Sequence, residues 1–386
     1  MNGVMRNHKI LFIYPNLIGP YHQERIEAFH EIGCEPIVWE ILRQPDAGYS
    51  WKIDHQHFSF RYLRFTPLSL LTTGLSNYIK LQPAQVVLHG WDCPAALLFS
   101  LWLRWIGMDV SIQGESYGKT RLRRSKWSEE LKSIVLRQFS AYFAPGPAQS
   151  QYVSRLTGGR LPCFETDYMG LRLDLATQVI SENTHAEFEA ATRLTDGGYF
   201  LIVARLVPFK RIEIAIASYA AYTQMCSVAG VPADPLIIIG EGPHAEYLKT
   251  RSSHYGCGAL ICFLGFVEGR LLRLFYKHCR AFITCGHNDL YPMVVCEAIA
   301  HGAPVLATDS IGNTHLIADG ETGRLCAEDG TGLPRAMFEF STGRGLTCKL
   351  RKNTIAARDR VDAVRSARRT QKAFEWISGA KSKGVW

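Results

Sequence analysis

Residues 282–312 read FITCGHNDLYPMVVCEAIAHGAPVLATDSIG, and their pattern decides the fold. Phe282-Ile283-Thr284 is a short apolar run of the kind a buried strand needs. Gly286-His287-Asn288-Asp289 is turn chemistry. Pro292 suits the first position of a helix, where its missing N–H leaves no bond unmade, and Gly302 suits the left-handed residue that ends one. Val305-Leu306-Ala307 supplies the next strand. Asp289 falls just before the helix, and Glu297 falls between one and two turns into it. A helix tip gathers unpaired N–H groups and the positive end of the dipole, so it suits an anion. Tyr291, Pro292 and Met293 stand at that tip. The two acids would bind hydroxyls beside the anion, as a sugar or ribose requires.

The same strand–helix rhythm runs through the rest of the chain, as in parallel α/β sheets. In the first half, Ile10–Tyr14 reads as strand one, and Tyr21 to Ile32 as a helix. Between them a loop holds Gly19, where such folds bring a ligand close to backbone. Gln85–His89 and Asp109–Gln113 are further strands. His89, Gln113 and Glu115 mark their carboxyl ends, where open α/β sheets place ligands. Gly170 to Thr195 is polar and poorly periodic, and reads as the interdomain linker. The second half opens on the strand Tyr199–Ala204, followed by the basic turn Arg205 to Arg211 and a helix from about Ile212. Cations beside a helix start suit a diphosphate, because charge-assisted hydrogen bonds contribute about 1.5–3 kcal/mol each. Leu236–Gly240 is another buried strand, with Gly240-Glu241-Gly242-Pro243 as its turn.

These motifs resemble glycosyltransferase family 4, whose members have the GT-B fold. Asp289-x7-Glu297, followed by AIAHGAPVLATDSIG, is similar to the family's E-x7-E region. Arg205 and Lys210 match its R-x-x-x-x-K element, and Gly240-Glu241-Gly242-Pro243 its G-x-G-P turn near the nucleoside. Leu264-Gly265-Phe266-Val267 matches the segment whose backbone edges the base. The likeness is good over about residues 199–326 and in outline over 10–160. Three positions depart from the family. Asp289 replaces the usual Glu, Gln113 stands where many members carry a histidine, and His315 stands where many carry Glu.

The resemblance implies two Rossmann-like domains facing each other across a cleft: residues 1–180 for the acceptor and 181–360 for the donor. Residues 361–386 would cross back to the first domain as a helix. It implies retaining transfer from a nucleoside-diphosphate sugar. Arg205, Lys210, Asp289 and Glu297 would be catalytic. Gly19, Gly240, Gly242, Phe266, Val267, Tyr291, Pro292 and Met293 would bind the donor, and His89, Gln113 or Glu115 the acceptor or sugar. No D-x-D metal signature occurs in the chain, so neither a metal nor another cofactor is expected. A sugar-nucleotide epimerase of the same fold and a non-catalytic nucleotide-sugar-binding protein are the alternatives.

Composition sets the surroundings. A chain of 386 residues with 47% hydrophobic and 20% charged residues has room for two α/β domains. No apolar run reaches the ~18–20 residues of a membrane span, and Lys9–Tyr14 reads as a strand rather than a signal peptide. The 11 cysteines are scattered and never spaced C-x-x-C. That pattern points to reduced thiols in the cytosol. The net charge of +8 is concentrated in residues 119–137 and in the tail. Lys119 to Arg137 interleaves basic residues with Trp127, Leu131, Ile134 and Val135 at helical spacing. It reads either as a helix on an anionic membrane surface or as an ordinary surface helix. No nucleic-acid motif accompanies the basic segments. The resemblance implies a nucleotide sugar and a glycan or lipid-linked acceptor as partners; the cysteine pattern points to the cytoplasm, the basic segments to the inner face of a membrane, and no nucleic-acid partner is expected.

Overall fold

The computed structural model describes residues 8–15, 19–41, 59–62, 74–91, 93–115, 126–167, 170–173, 180–192, 198–267 and 269–382. The chain divides into two compact units, Met1–Arg172 with Val361–Trp386, and Leu173–Arg360.

The first unit runs β1 (Lys9–Tyr14), α1 (Pro20–Glu31), β2 (Glu35–Glu40), β3 (Ser59–Tyr62), α2 (Leu75–Leu81), β4 (Gln85–His89), α3 (Pro94–Trp105), β5 (Val110–Gln113), α4 (Lys126–Leu136), β6 (Ala141–Ala144), α5 (Pro147–Thr157) and β7 (Cys163–Glu165). Its strands form a parallel sheet in the order β3-β2-β1-β4-β5-β6-β7. Ile10 to Tyr14 are all buried, as a strand covered on both faces requires. One face packs on α3, through Phe99 and Leu103. The other packs on α1 and on the last helix of the chain, α13 (Ala363–Ser382).

That last helix is held firmly. Phe374 packs edge-on against Phe143 at 5.4 Å, and Ser366 donates to the Thr166 carbonyl at 2.6 Å. Arg369 pairs with Asp167. Gly170 lies so close that a Cβ there would stand 2.5 Å from the Ala363 backbone nitrogen. Asp362 starts this helix, accepting from the backbone N–H groups of Val364 and Arg365.

The second unit runs α6 (Glu182–Ala191), β8 (Phe200–Val203), α7 (Ile212–Ala229), β9 (Leu236–Ile239), α8 (Ala245–His254), β10 (Ile261–Gly265), α9 (Gly269–His278), β11 (Ala281–Thr284), α10 (Met293–Ala300), β12 (Val305–Thr308), β13 (Gly323–Cys326), α11 (Leu333–Thr342) and α12 (Arg344–Ala356). Its sheet is parallel, in the order β10-β9-β8-β11-β12-β13. The apolar runs of β8, β9, β11 and β12 form its buried centre. Helix α6 lies inside the stretch whose polarity suggested a linker. It is capped by Ser181, and its one aromatic, Phe188, packs on Phe275 at 5.2 Å. A single anchor leaves almost no helical period in the sequence.

In both sheets the strand order reverses once, between β1 and β4 and between β8 and β11. At such a point the two flanking loops diverge to opposite faces and leave a crevice at the strands' carboxyl ends.

Candidate functional site

In the second unit the reversal point brings together the loop after β8 and the loop after β11. Lys210 ends a short 3-10 turn after β8, and Asp289 lies within the loop after β11. Lys210 Nζ donates to Asp289 Oδ2 at 2.6 Å, and both side chains are largely buried. The two loops are also joined through backbone, since His287 N–H donates to the Phe209 carbonyl at 2.7 Å. Lys210 lines one small cavity with Ala204, Thr284 and Val294, the last on the first turn of α10. The cation, the acid and the helix tip therefore meet in one place.

The tip itself differs by one residue from the sequence reading. Pro292 is the residue before α10 rather than its first turn, because its ψ of 108° is extended. Tyr291 and Pro292 are buried there, and Met293 is half-buried. Asn313 Nδ2 donates to the Pro292 carbonyl at 3.0 Å, and Gly312 N–H to the Asp289 carbonyl at 2.9 Å. These two bonds brace the segment Asp289 to Pro292 from behind. Gly312 allows the approach, since a Cβ there would meet the Leu290 carbonyl oxygen at 1.8 Å. His315 lies with its ring 6.3 Å from that of Tyr291.

Glu297 sits on the second turn of α10. Its Oε2 accepts from the hydroxyl of Tyr276 on α9, at 2.7 Å. Arg205 is exposed, with its guanidinium 5.9 Å from the Phe209 ring centre. Lys210 Nζ approaches the same ring from 5.2 Å. Gly240 and Gly242 carry φ values of 131° and 156°. A Cβ at Gly240 would stand 1.9 Å from the Ala204 carbonyl oxygen, and one at Gly242 2.4 Å from that of Leu206. The glycines thus let the turn after β9 lie directly on the basic loop, which Leu206 N–H fixes by donating to the Glu241 carbonyl at 2.8 Å. Phe266 is exposed and Val267 half-buried just after β10, and Glu241 Oε1 accepts from the Phe266 N–H at 3.4 Å.

The remaining candidates lie in the first unit, near its own reversal point. Gly19 caps α1, and its N–H donates to His22 Nδ1 at 3.1 Å. His89 stacks on Tyr14 at 4.7 Å and meets the edge of His22 at 5.0 Å. Gln113 is fully buried, and its Oε1 accepts from Arg25 Nη1 at 2.6 Å. Glu115 is half-buried beyond the end of β5. Burial, reinforced by Arg25, lowers the pKa of His22 to about 4. Burial and the neighbouring His22 and Arg25 hold His89 well below the usual histidine range. Burial likewise pushes Tyr14 up to about 12 and Arg25 down to about 10.

Tyr276, Asn313 and the Tyr14–His22–Arg25 cluster carry no sequence signal as site residues. Each is positioned by tertiary packing. Among the described residues no group of three His, Cys, Asp or Glu side chains is placed to hold a metal ion, and no helix is long and apolar enough to cross a membrane.

Residues 184–354 match the family model described as glycosyl transferases group 1. Anabaena HepE, solved with UDP and glucose, superposes with a TM-score of 0.72 at 16% identity, covering 96% of this chain and 100% of that one. Sucrose-phosphate synthase of Thermosynechococcus elongatus superposes with a TM-score of 0.72 at 17% identity, covering 97% and 100%. The chain has the GT-B glycosyltransferase fold. The residues matched by the family model lie within the second unit. The chain is 27% identical over 171 residues to the D-inositol 3-phosphate glycosyltransferase of Acidothermus cellulolyticus, which is 42% of this chain and 37% of the relative. It is 30% identical over 158 residues to the GDP-mannose-dependent alpha-mannosyltransferase of Mycolicibacterium smegmatis, which is 40% of this chain and 36% of that one. The match thus spans a little over a third of the length of these curated relatives.

Proposed function

We propose that this protein is a retaining glycosyltransferase that moves a sugar from a nucleoside-diphosphate donor to an acceptor hydroxyl. The Lys210–Asp289 pair at the tip of α10 carries the reading. An ammonium has three N–H donors. One is used on Asp289 Oδ2, which fixes the cation while leaving two for phosphate oxygens. Asp289 Oδ1 would accept from a sugar hydroxyl, and Glu297, held by the Tyr276 hydroxyl at 2.7 Å, would face the ribose hydroxyls. The exposed guanidinium of Arg205 adds a second cation beside Lys210. Asp289 is one methylene shorter than the family's Glu, which draws the sugar-binding oxygen closer to the lysine.

Breaking the anomeric C–O bond leaves both bonding electrons on the diphosphate. Arg205, Lys210 and the α10 N–H groups stabilise that growing charge in place. The departing phosphate oxygen takes the proton of the acceptor hydroxyl as the new C–O bond forms on the same face. No side-chain nucleophile is assigned and no metal is invoked, so activity should survive EDTA. Support comes from the family-model match, the relatives with glycosyltransferase names, and the HepE structure with UDP bound.

The test is release of free nucleoside diphosphate from a panel of donors with and without candidate glycan and lipid-linked acceptors. Acceptor-dependent release, with the anomeric configuration of the donor kept in the product, is expected. Epimerised donor, or binding without turnover across the panel, would contradict the proposal.

A further inference from the structure

We propose that Glu328 is a positioning residue of the donor site, which sets the geometry of Lys210 and Asp289 through Arg211 and His287; the proposal rests on the transferase reading above. Glu328 follows β13 and reaches both loops of the reversal point. Its Oε1 lies 2.7 Å from His287 Nδ1 and 3.3 Å from Arg211 Nη1. The first contact is a hydrogen bond when Nδ1 carries the proton, and the second is an ion pair. Arg211 is the residue after Lys210, and His287 stands two before Asp289. One carboxylate oxygen therefore bridges the neighbours of the cation and of the acid.

The backbone shows why those neighbours need holding. Arg211 has a φ of 48°, and Asn288, between His287 and Asp289, has a φ of 56°. Among the described residues only Gln82 and Asp167 are other non-glycine residues with positive φ. Side chains beyond glycine are strained in this left-handed region and persist there when the surroundings over-determine them. Each of the two strained residues adjoins one member of the Lys210–Asp289 pair. Arg211 is the joint between the 3-10 turn of Lys210 and α7. Its N–H donates to the Pro208 carbonyl at 3.0 Å, and its carbonyl accepts from the Ile214 N–H at 3.0 Å.

Glu328 stands on a stiff base. Gly330 N–H donates to the Ala327 carbonyl at 2.9 Å, and Thr331 N–H to Asp329 Oδ1 at 2.8 Å. Gly330, at a φ of 89°, presses this turn onto α7, where a Cβ would stand 2.7 Å from Ile214 Cγ2. The Arg211 and Glu328 side chains are 29% and 40% exposed. Ion pairs this open to water add little stability, so what the bridge supplies is position. A lysine and a carboxylate set at a fixed spacing before the donor arrives meet its leaving group and its sugar without a cost in ordering.

The test is steady-state, acceptor-dependent release of nucleoside diphosphate, run beside calorimetric titration of the diphosphate alone. E328A should lower kcat about ten- to a hundredfold, while the diphosphate Kd stays within about threefold of wild type and the melting temperature holds. E328Q keeps an acceptor oxygen in the same place and should retain kcat within about threefold. R211A/E328A should be no slower than E328A, because Arg211 acts through the carboxylate. The proposal is overturned if E328A turns over like wild type, if diphosphate affinity falls as far as kcat, or if E328Q is as slow as E328A. A double variant slower than E328A would also overturn it, by placing Arg211 on the diphosphate itself, and a melting temperature lowered in step with the rate would make Glu328 structural. Wild type without acceptor-dependent release would remove the transferase reading and this proposal together, whereas a fully active E328A beside an active wild type removes this proposal alone.

Discussion

Lys210→Ala removes the cation at the centre of the candidate site. Two of its N–H donors are open to the diphosphate once Asp289 has taken the third. Charge-assisted bonds contribute about 1.5–3 kcal/mol each, so the transition state loses about 3–6 kcal/mol. That equals about two to four orders of magnitude in kcat/KM. The substitution also leaves Asp289 largely buried without its hydrogen-bonded cation, and should cost on the order of 1–3 kcal/mol of stability. The two effects separate experimentally. Donor turnover reads the first through release of nucleoside diphosphate. Urea unfolding reads the second, and Lys210→Ala/Asp289→Asn should recover much of the stability while recovering none of the rate. A folded Lys210→Ala variant with kcat/KM within about tenfold of wild type would refute the assignment of Lys210 to the leaving group.

Other predictions follow from the surroundings of the site. Tyr276→Phe frees Glu297 from its 2.7 Å hydrogen bond; it should raise the donor KM several-fold with little change in kcat and cost about 1 kcal/mol of stability, which donor titrations and urea melts would check. Gly240→Ala would drive a Cβ to 1.9 Å from the Ala204 carbonyl oxygen at a φ of 131°. It should destabilise the second unit by more than about 3 kcal/mol, and a melting curve like wild type would count against the tight packing described. His22 and His301 both have folded pKa values lowered to about 4 by burial. The unfolded chain therefore binds more protons between pH 4 and the ordinary histidine value, so stability is fully present above about 6.5 and is lost as pH falls through about 4. Unfolding midpoints that stay level across that window, in wild type and His301→Gln alike, would contradict the burial.

The second unit was readable because its chemistry lies on local signals. Apolar strand runs, glycine turns and the helix tip at Pro292 are each short-range features, and Asp289, Lys210 and Glu297 are placed by them. What the sequence could not carry is how those residues meet. The Lys210–Asp289 bond spans 79 residues and follows from the strand order, since β8 and β11 become neighbours at the reversal point. The brace of Glu297 by Tyr276 and of Pro292 by Asn313 likewise depends on packing between elements. In the first unit, Gln113 stood out for replacing a histidine. Only the folded chain shows its side chain committed to Arg25 beneath the ring cluster of Tyr14, His22 and His89. Helix α6 was read as linker because polar residues cover all but one of its turns.

Calorimetric titration of UDP, GDP and ADP into wild type and into Arg205→Ala/Lys210→Ala tests the central claim most directly. The account predicts that one or more of these diphosphates binds the wild type, and that the double variant, still folded, binds it at least a hundredfold more weakly. Equal binding by both proteins would show that the diphosphate is held elsewhere, and binding by neither would contradict the account.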